Sequence, residues 1–368
     1  MIADVTAPIE AETGFLQSRG AIPRFQSAGK ISGEALTPLA QQRVASVPYF
    51  SSSFAFEGRT FPFTAVGKRP QTGGVTEIPT QIVAVSMLFE GFVDERGDPI
   101  VLDAEAIVPS VQASPIFRNA NYQSVGLTQF ADAVQRAQFF RAMAPDWHTL
   151  LTAPELLKPV TIEVPRGMAH VYRNRIMGDT FAVVDTNFFI SQLNTVVQLE
   201  NLRPDSLALV LTNNVFLAPQ AEIKQCCVLG FHTSFVVGDS RDVPQVQTLV
   251  WASWIDPGLL GSNVADITPI SHEISEWMNN PFGTNVVPAW QPLGAPGGCQ
   301  NNLETADPVA TLPNAAYPVT IDGVTYHPQT QVLLPWFTRQ GISASLAGAF
   351  SFPDQELVTS PSQSCVMR

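Results

Sequence analysis

Proline recurs along this chain from Pro8 to Pro361, thirty times in 368 residues, with 24 glycines spread among them. A proline inside a helix removes a hydrogen bond and clashes with the preceding turn, at a cost of about 3 kcal/mol. Long helices are therefore excluded from most of the chain, and many short elements joined by turns are expected. The even spread argues against a collagen-like or linker-dominated protein. No window of about 18 apolar residues occurs, so no membrane span is expected. Hydrophobic residues make up 45% of the sequence, enough for a sizeable core. The length suits one large domain or two ordinary ones.

Hydrophobic periodicity predicts an α+β fold with a mixed β-sheet and a β-rich N-terminal part. Residues 1–45 are polar and irregular and read as an extension. Residues 46–200 read as a β-rich subdomain with helices, and 201–368 as a second subdomain. Gln81 to Phe89 reads as a buried strand. Leu127 to Met143 reads as a helix capped by Thr128, with Phe130, Ala133, Val134 and Ala137 on one face. Strands follow near 159–165, 168–174 and 180–184. A second helix, from about Asn187 to Glu200, is capped by Asp185 or Thr186. Three apolar runs, Leu207–Val215, Cys226–Val237 and Gln247–Ile255, read as strands, the last two as antiparallel neighbours. A helix over Val264–Asn279 comes next; Asp266 or Thr268 begins it, Pro269 suits its first turn and Pro281 stops it.

Charged residues are only 14% of the chain and the net charge is -12. Phosphate contacts need clustered Lys and Arg, and no basic run exists, so nucleic acid is not an expected partner. So few charges are unusual for a cytosolic surface. The opening residues MIADVTAPIEAETG lack the basic start and apolar stretch of a signal peptide. The expectation is a mature secreted or periplasmic form with a starting Met added. Cys226, Cys227, Cys299 and Cys365 form no CxxC pair, so a structural zinc knuckle is not expected. Adjacent cysteines on a strand point to opposite faces and rarely bridge each other. Three arrangements remain open: Cys226 and Cys227 each paired with Cys299 or Cys365, a Cys299–Cys365 bridge alone, or four buried thiols.

The segment Ser271-His272-Glu273-Ile274-Ser275-Glu276-Trp277 concentrates the chemistry. On a helix, positions i and i+4 share a face, about 5–6 Å apart at Cβ. The His272 imidazole and the Glu276 carboxylate can thus converge on one cation. Glu273, rotated by about 100°, stands where a zincin places its general base, so the expected fold is zincin-like, with this as the active-site helix and 201–368 as the catalytic subdomain. The usual second histidine is replaced by Glu276. A carboxylate binds zinc, but it weakens Lewis acidity and makes manganese or calcium more competitive. Glu304 is the first choice for a third ligand, with Asp307 as the alternative or as a partner orienting the histidine. His327 or Tyr326 is expected to steady an oxyanion. His232, on its strand, is a further candidate to face the site; His148 and His170 read as structural.

The runs Cys226–His232, Ser271–Trp277, Leu303–Pro308 and Tyr326–Gln329 together resemble a group of secreted bacterial proteins regarded as zinc-dependent peptidases. The helix near Leu127–Phe140 shares in the likeness, which spans about residues 46 to 368. A more distant similarity is to plant phosphate-induced, EXORDIUM-type proteins, which carry a comparable HExxE followed by an acidic and cysteine-containing segment. Two positions depart from the pattern, Asn280 after the helix and Ala306 before the second acid. The resemblance implies secretion and a metallohydrolase. The expected function is a zinc-dependent peptidase acting on a peptide or protein, with Glu273 as base toward a metal-activated water. The alternative is a non-catalytic extracellular binding or structural protein with a structural metal or none. A glycosidase using Glu273 and Glu276 is disfavoured, because glycosidase carboxylates flank the scissile bond.

Overall fold

The fold was obtained as a computed structural model, which describes residues 6–11, 44–237, 244–261, 263–294, 298–341 and 346–367. In chain order the elements that build the site are β1 (Ile9–Ala11), β2 (Tyr49–Phe56), β3 (Arg59–Val66), β4 (Thr80–Val93), α1 (Phe130–Gln138), β5 (Glu155–Leu156), β6 (Val160–Val164), β7 (Ala169–Asn174), β8 (Thr180–Asp185), α2 (Thr186–Leu199), β9 (Leu207–Asn213), β10 (Val215–Ala218), β11 (Gly230–Val237), β12 (Gln245–Trp254) and α3 (Thr268–Asn279). Strands and helices share the chain, so the class is mixed α and β.

A seven-stranded sheet forms the centre, in the order β5-β4-β9-β12-β11, with β6 and the short strand Pro99–Leu102 pairing on β4. β5, β4, β9 and β12 run parallel to one another, β6 is parallel to β4, Pro99–Leu102 is antiparallel to β4, and β11 closes the edge antiparallel to β12. Because β4 bonds to β9, this sheet draws its strands from both sides of residue 200. A four-stranded sheet, β1-β7-β8-β10, packs beside it.

Alternation along the central strands explains the layering, since successive side chains point to opposite faces. Leu207, Leu209 and Leu211 of β9 join Ile82, Val250 and Ala252 on one face, where they meet Ile270, Ile274, Trp277 and Met278 of α3. Ala208 and Val210 point the other way, with Val83, Val85 and Trp251, toward Phe189, Leu193 and Val196 of α2 and toward the second sheet. Near-continuous apolar runs are what a sheet covered on both faces requires. Full burial of each large apolar side chain on α3 contributes about 1.5–3 kcal/mol.

Several elements are shorter than their apolar patterns suggest. The helix expected over Leu127–Met143 spans only Phe130–Gln138. Thr128 does not cap it; it lies in the short strand Gly126–Thr128 and its hydroxyl donates to Asp132 Oδ2. Asp132 is held there by His148 Nδ1 and the Thr149 N–H, so the buried carboxylate ties the helix to strand His148–Leu151. α2 begins where expected, with the Asp185 carboxylate accepting from the Phe188 N–H. α3 starts at Thr268, not Val264, because Asp266 is in a bridge with Ile255 and has a φ of 40°. The 226–237 run contributes a strand only from Gly230. Of the N-terminal extension, Ile9–Ala11 adds a parallel strand to β7, while residues 12–43 lie outside the described residues.

Cys299 and Cys365 are disulfide-bonded, with Cα atoms 5.8 Å apart. Cys226 and Cys227 are bonded to each other, contrary to the expectation for adjacent cysteines, since the two lie outside the β11 strand. No helix among the described residues is long and apolar enough to cross a membrane.

One buried side chain joins the hairpin β2–β3 to the end of α3. Asn285 Oδ1 accepts from the Thr64 N–H at 2.8 Å, and its Nδ2 donates to Thr64 O and Asn279 O at 2.6 and 2.7 Å. Asn285→Ala leaves these groups buried without partners. Each such group costs about 1–3 kcal/mol, so the unfolding free energy from urea titration is expected to fall by at least about 2 kcal/mol. An unchanged midpoint would show that the junction carries no stability.

Candidate metal centre

α3 has no exposed residue. Its apolar residues recur at i, i+4 and i+7 and lie on the sheet. Its polar residues His272, Glu273 and Glu276 therefore need protein partners, because burying a polar group without one is costly. Three neighbours supply them: the edge strand β11, the loop 303–307 and the segment 326–331.

His272 is oriented from outside the cluster. Its Nδ1 lies 2.9 Å from Gln329 Oε1. Gln329 Nε2 donates to Ala306 O at 2.7 Å, which fixes the amide so that Oε1 faces the ring. A carbonyl can only accept, so Nδ1 carries the proton and Nε2 is turned inward. Nε2 is 3.2 Å from Glu276 Oε2, 3.5 Å from Asp307 Oδ1 and 4.0 Å from Glu273 Oε1. Glu276 Oε1 accepts from the Ala306 and Asp307 N–H groups at 3.0 and 3.2 Å, which pins that carboxylate and aims Oε2 at the histidine.

The edge strand contributes the other side. Gly230, His232 and Ser234 alternate toward α3, while Phe231 and Phe235 pack on the opposite core. His232 Nδ1 lies 3.3 Å from Glu273 Oε2 and 3.9 Å from Glu276 Oε2; its Nε2 is 3.8 Å from Glu304 Oε2. Gly230 is a spatial requirement, since a Cβ there would stand 2.6 Å from Glu273 Cγ. Glu273 Oε1 and His232 Nε2 are buried and have no hydrogen-bond partner.

Of the residues singled out from sequence, Glu273, Glu276 and Glu304 thus approach His232, and His272 and Asp307 join them through Glu276 and Glu273. Asp307 stands beside His272 and Glu276, whereas Glu304 approaches His232. His327 and Tyr326 are joined to the cluster by no hydrogen bond or ion pair among the described residues. His327 Nδ1 instead lies 2.6 Å from Asp266 Oδ2, its N–H donates to Asp266 Oδ1, and its carbonyl accepts from Thr268 Oγ1 at the start of α3. Tyr326 packs into the core under α3, and burial with the charge of Asp266 raises its phenol above the usual range. His148 pairs with Asp132 and His170 is exposed. Sequence alone gives Gln329 and Gly230 no role in the site and marks Asp266 only as a candidate start of the helix. Gln329 follows His327 by two residues, and no spacing marks Gly230 or Asp266 for the site.

Burial and mutual charge set the protonation of the cluster. Burial opposes charge on His272, but Glu276, Asp307 and Glu273 outweigh it and hold the imidazole well above its ordinary range. Burial pushes Glu276 up, and the His272 charge more than reverses this, leaving it below the usual carboxylate range. Burial and the Glu276 charge raise Asp307. Burial pushes Glu273 up to about 7 against the opposing pull of His232. In the absence of an ion, protons hold the cluster together; a cation would displace them.

The donor atoms suit a divalent cation. Atoms bonded to one tetrahedral zinc at about 2.0–2.1 Å stand about 3.3 Å apart. The spacings of Glu276 Oε2 and Asp307 Oδ1 from His272 Nε2 match that. No protein family, curated protein or solved structure matches the chain.

The raised carboxyl of Glu273 has a measurable consequence in metal-free protein. Its folded value of about 7 lies above the ordinary 4.5, so ionisation is costlier in the fold than in the unfolded chain. Stability is then fully present below about pH 4.5 and is lost as pH rises to about 7, by an amount on the order of 3 kcal/mol. Glu276, shifted the other way, acts below this window. Urea midpoints in chelator should fall across it in the wild type and stay flatter in Glu273→Gln. Parallel profiles would refute this account of Glu273.

Proposed function

We propose that the chain is a secreted, zincin-like metallohydrolase, with a peptide or protein as substrate. The observation that carries the reading is the His272 ring, engaged at Nδ1 by Gln329 and turned at Nε2 toward two carboxylates, with Glu273 alongside. A buried helix lying on a mixed sheet next to an antiparallel edge strand supports the zincin-like frame. Two disulfides support an oxidising compartment.

His272, Glu276 and Asp307 would hold the ion, zinc in the first place, with manganese or calcium favoured by the carboxylates. Such an ion supplies Lewis acidity, polarising a carbonyl and making water a better nucleophile. The remaining work falls to the chain. Glu273, with Oε1 turned toward His272, is placed to act as a general base that takes a proton and returns it to a leaving amine. His232 holds Oε2, and Gly230 leaves the space that keeps Oε1 directed at the cluster. His327 is one-third exposed, and its Nδ1–H is committed to Asp266, so its Nε2 is the atom open to a substrate oxygen at the N-terminal end of α3.

One observation favours a second reading, a closed cation site that only stabilises the fold. Asp307, with 14% of its side chain exposed, is the sole opening among His272, Glu273, Glu276 and Asp307. The two readings separate on Glu273→Gln. A hydrolase keeps the ion at His272 while kcat/KM on peptide substrates falls by about 10²–10⁴-fold, the usual contribution of a positioned base. Undiminished hydrolysis by that variant would sink the assignment, and absence of hydrolysis in the wild type with metal bound would favour the stabilising role.

A further inference from the structure

We propose that this centre is built for two divalent cations that share Glu276. The inference rests on the cation-binding reading above and adds a second seat to it. Two groups of ligand atoms occur among the described residues, each with all members within 4.8 Å: His272, Glu276 and Asp307, and His232, Glu273 and Glu276. His232 falls in no group with His272 or Asp307. Two ligands on one ion, each bonded at about 2.1 Å, are at most about 4.2 Å apart. A single ion therefore cannot serve both histidines where they stand.

Glu276 is the shared member. Its Oε1 is occupied by two backbone N–H groups, so Oε2 alone faces inward, 3.2 Å from His272 Nε2 and 3.9 Å from His232 Nδ1. A carboxylate held in this way is suited to bridge ions at the separation of about 3.5–4 Å found in two-metal sites. Glu273 is the carboxylate the second group adds: its Oε2 stands 3.3 Å from His232 Nδ1, close to the spacing of two ligands on one ion, while its Oε1, buried without a hydrogen-bond partner, lies on the His272 side. With His272 Nδ1–H on Gln329, Nε2 is the coordinating atom; at His232, Nδ1 is the atom nearest Glu273 and Glu276, and an ion there would replace its hydrogen bond to Glu273 Oε2.

Charge argues the same way. No Lys or Arg is ion-paired to Glu273, Glu276 or Asp307 among the described residues. These three carboxylates exceed the charge of one divalent cation, and leaving the excess buried is expensive. In the doubly loaded centre Glu273 would ligate through Oε2, leaving Oε1, on the His272 side, for the proton transfer assigned to it above.

The test is a titration of the chelator-treated full-length chain with Mn(II) alone and, separately, with Zn(II) alone, reading bound metal by elemental analysis and the Mn(II) form by electron paramagnetic resonance. The expected result is about two equivalents per chain and an exchange-coupled manganese signal. His232→Ala and Asp307→Asn should each reduce binding to about one equivalent and abolish the coupling, and Glu276→Gln should weaken both seats. If His232→Ala fails to fold, the less buried Asp307→Asn gives the same reading. Saturation at about one equivalent overturns the second seat and leaves the single-ion hydrolase standing. Two equivalents retained in His232→Ala overturn the assignment of residues. No stoichiometric ion in the wild type overturns both this inference and the proposed function.

Discussion

A helix buried on every side leaves its polar residues only protein to bond with, and α3 is such a helix. Ile270, Ile274, Trp277 and Met278 lock one side onto the central sheet. That anchoring gives the other side no freedom to turn toward water. The carboxylates of Glu273 and Glu276 are then compensated from neighbouring segments, and the arrangement of those segments follows. Loop 303–307 presents two N–H groups to Glu276, segment 326–331 presents Gln329 to His272, and β11 presents His232 to Glu273. Gln135 and Gln138 of α1 close the far end, donating to Met278 O and Asn279 Oδ1.

The same burial couples the groups electrostatically. In a site of low dielectric, each charge is felt by every other. Hence His272 and Glu276 favour their charged forms together, while Glu273 and Asp307 are driven toward the neutral form. The cluster behaves as one unit, in which the protonation of each group depends on the others. This is why the properties of Glu273 cannot be read from its own position alone: they depend on a strand forty-one residues earlier in the chain.

Much of the fold was legible because its signals are local. The strands near 159–165, 168–174 and 180–184, the cap at Asp185 and the antiparallel pair β11–β12 all follow from periodicity and turn residues over a few positions. Boundaries were overrun where tertiary contacts captured a residue. Thr128 bonds Asp132 in place of capping, and Asp266 takes a bridge with Ile255 in place of beginning α3. The Cys226–Cys227 bridge runs against the expectation for adjacent strand cysteines because both residues lie before the strand.

By itself the sequence determined that His272, Glu273 and Glu276 would stand on neighbouring faces of one helix, since helical spacing alone decides that. It also determined that acids at 304 and 307 were close in the chain. Only the tertiary structure decided that Asp307 meets His272 while Glu304 approaches His232, and that His327 pairs with Asp266. The physical reason is range. Helix periodicity acts across four residues, whereas the partners of α3 come from β11, the 303–307 loop and the 326–331 segment, whose approach is set by sheet order and by hydrogen bonds between distant parts of the chain.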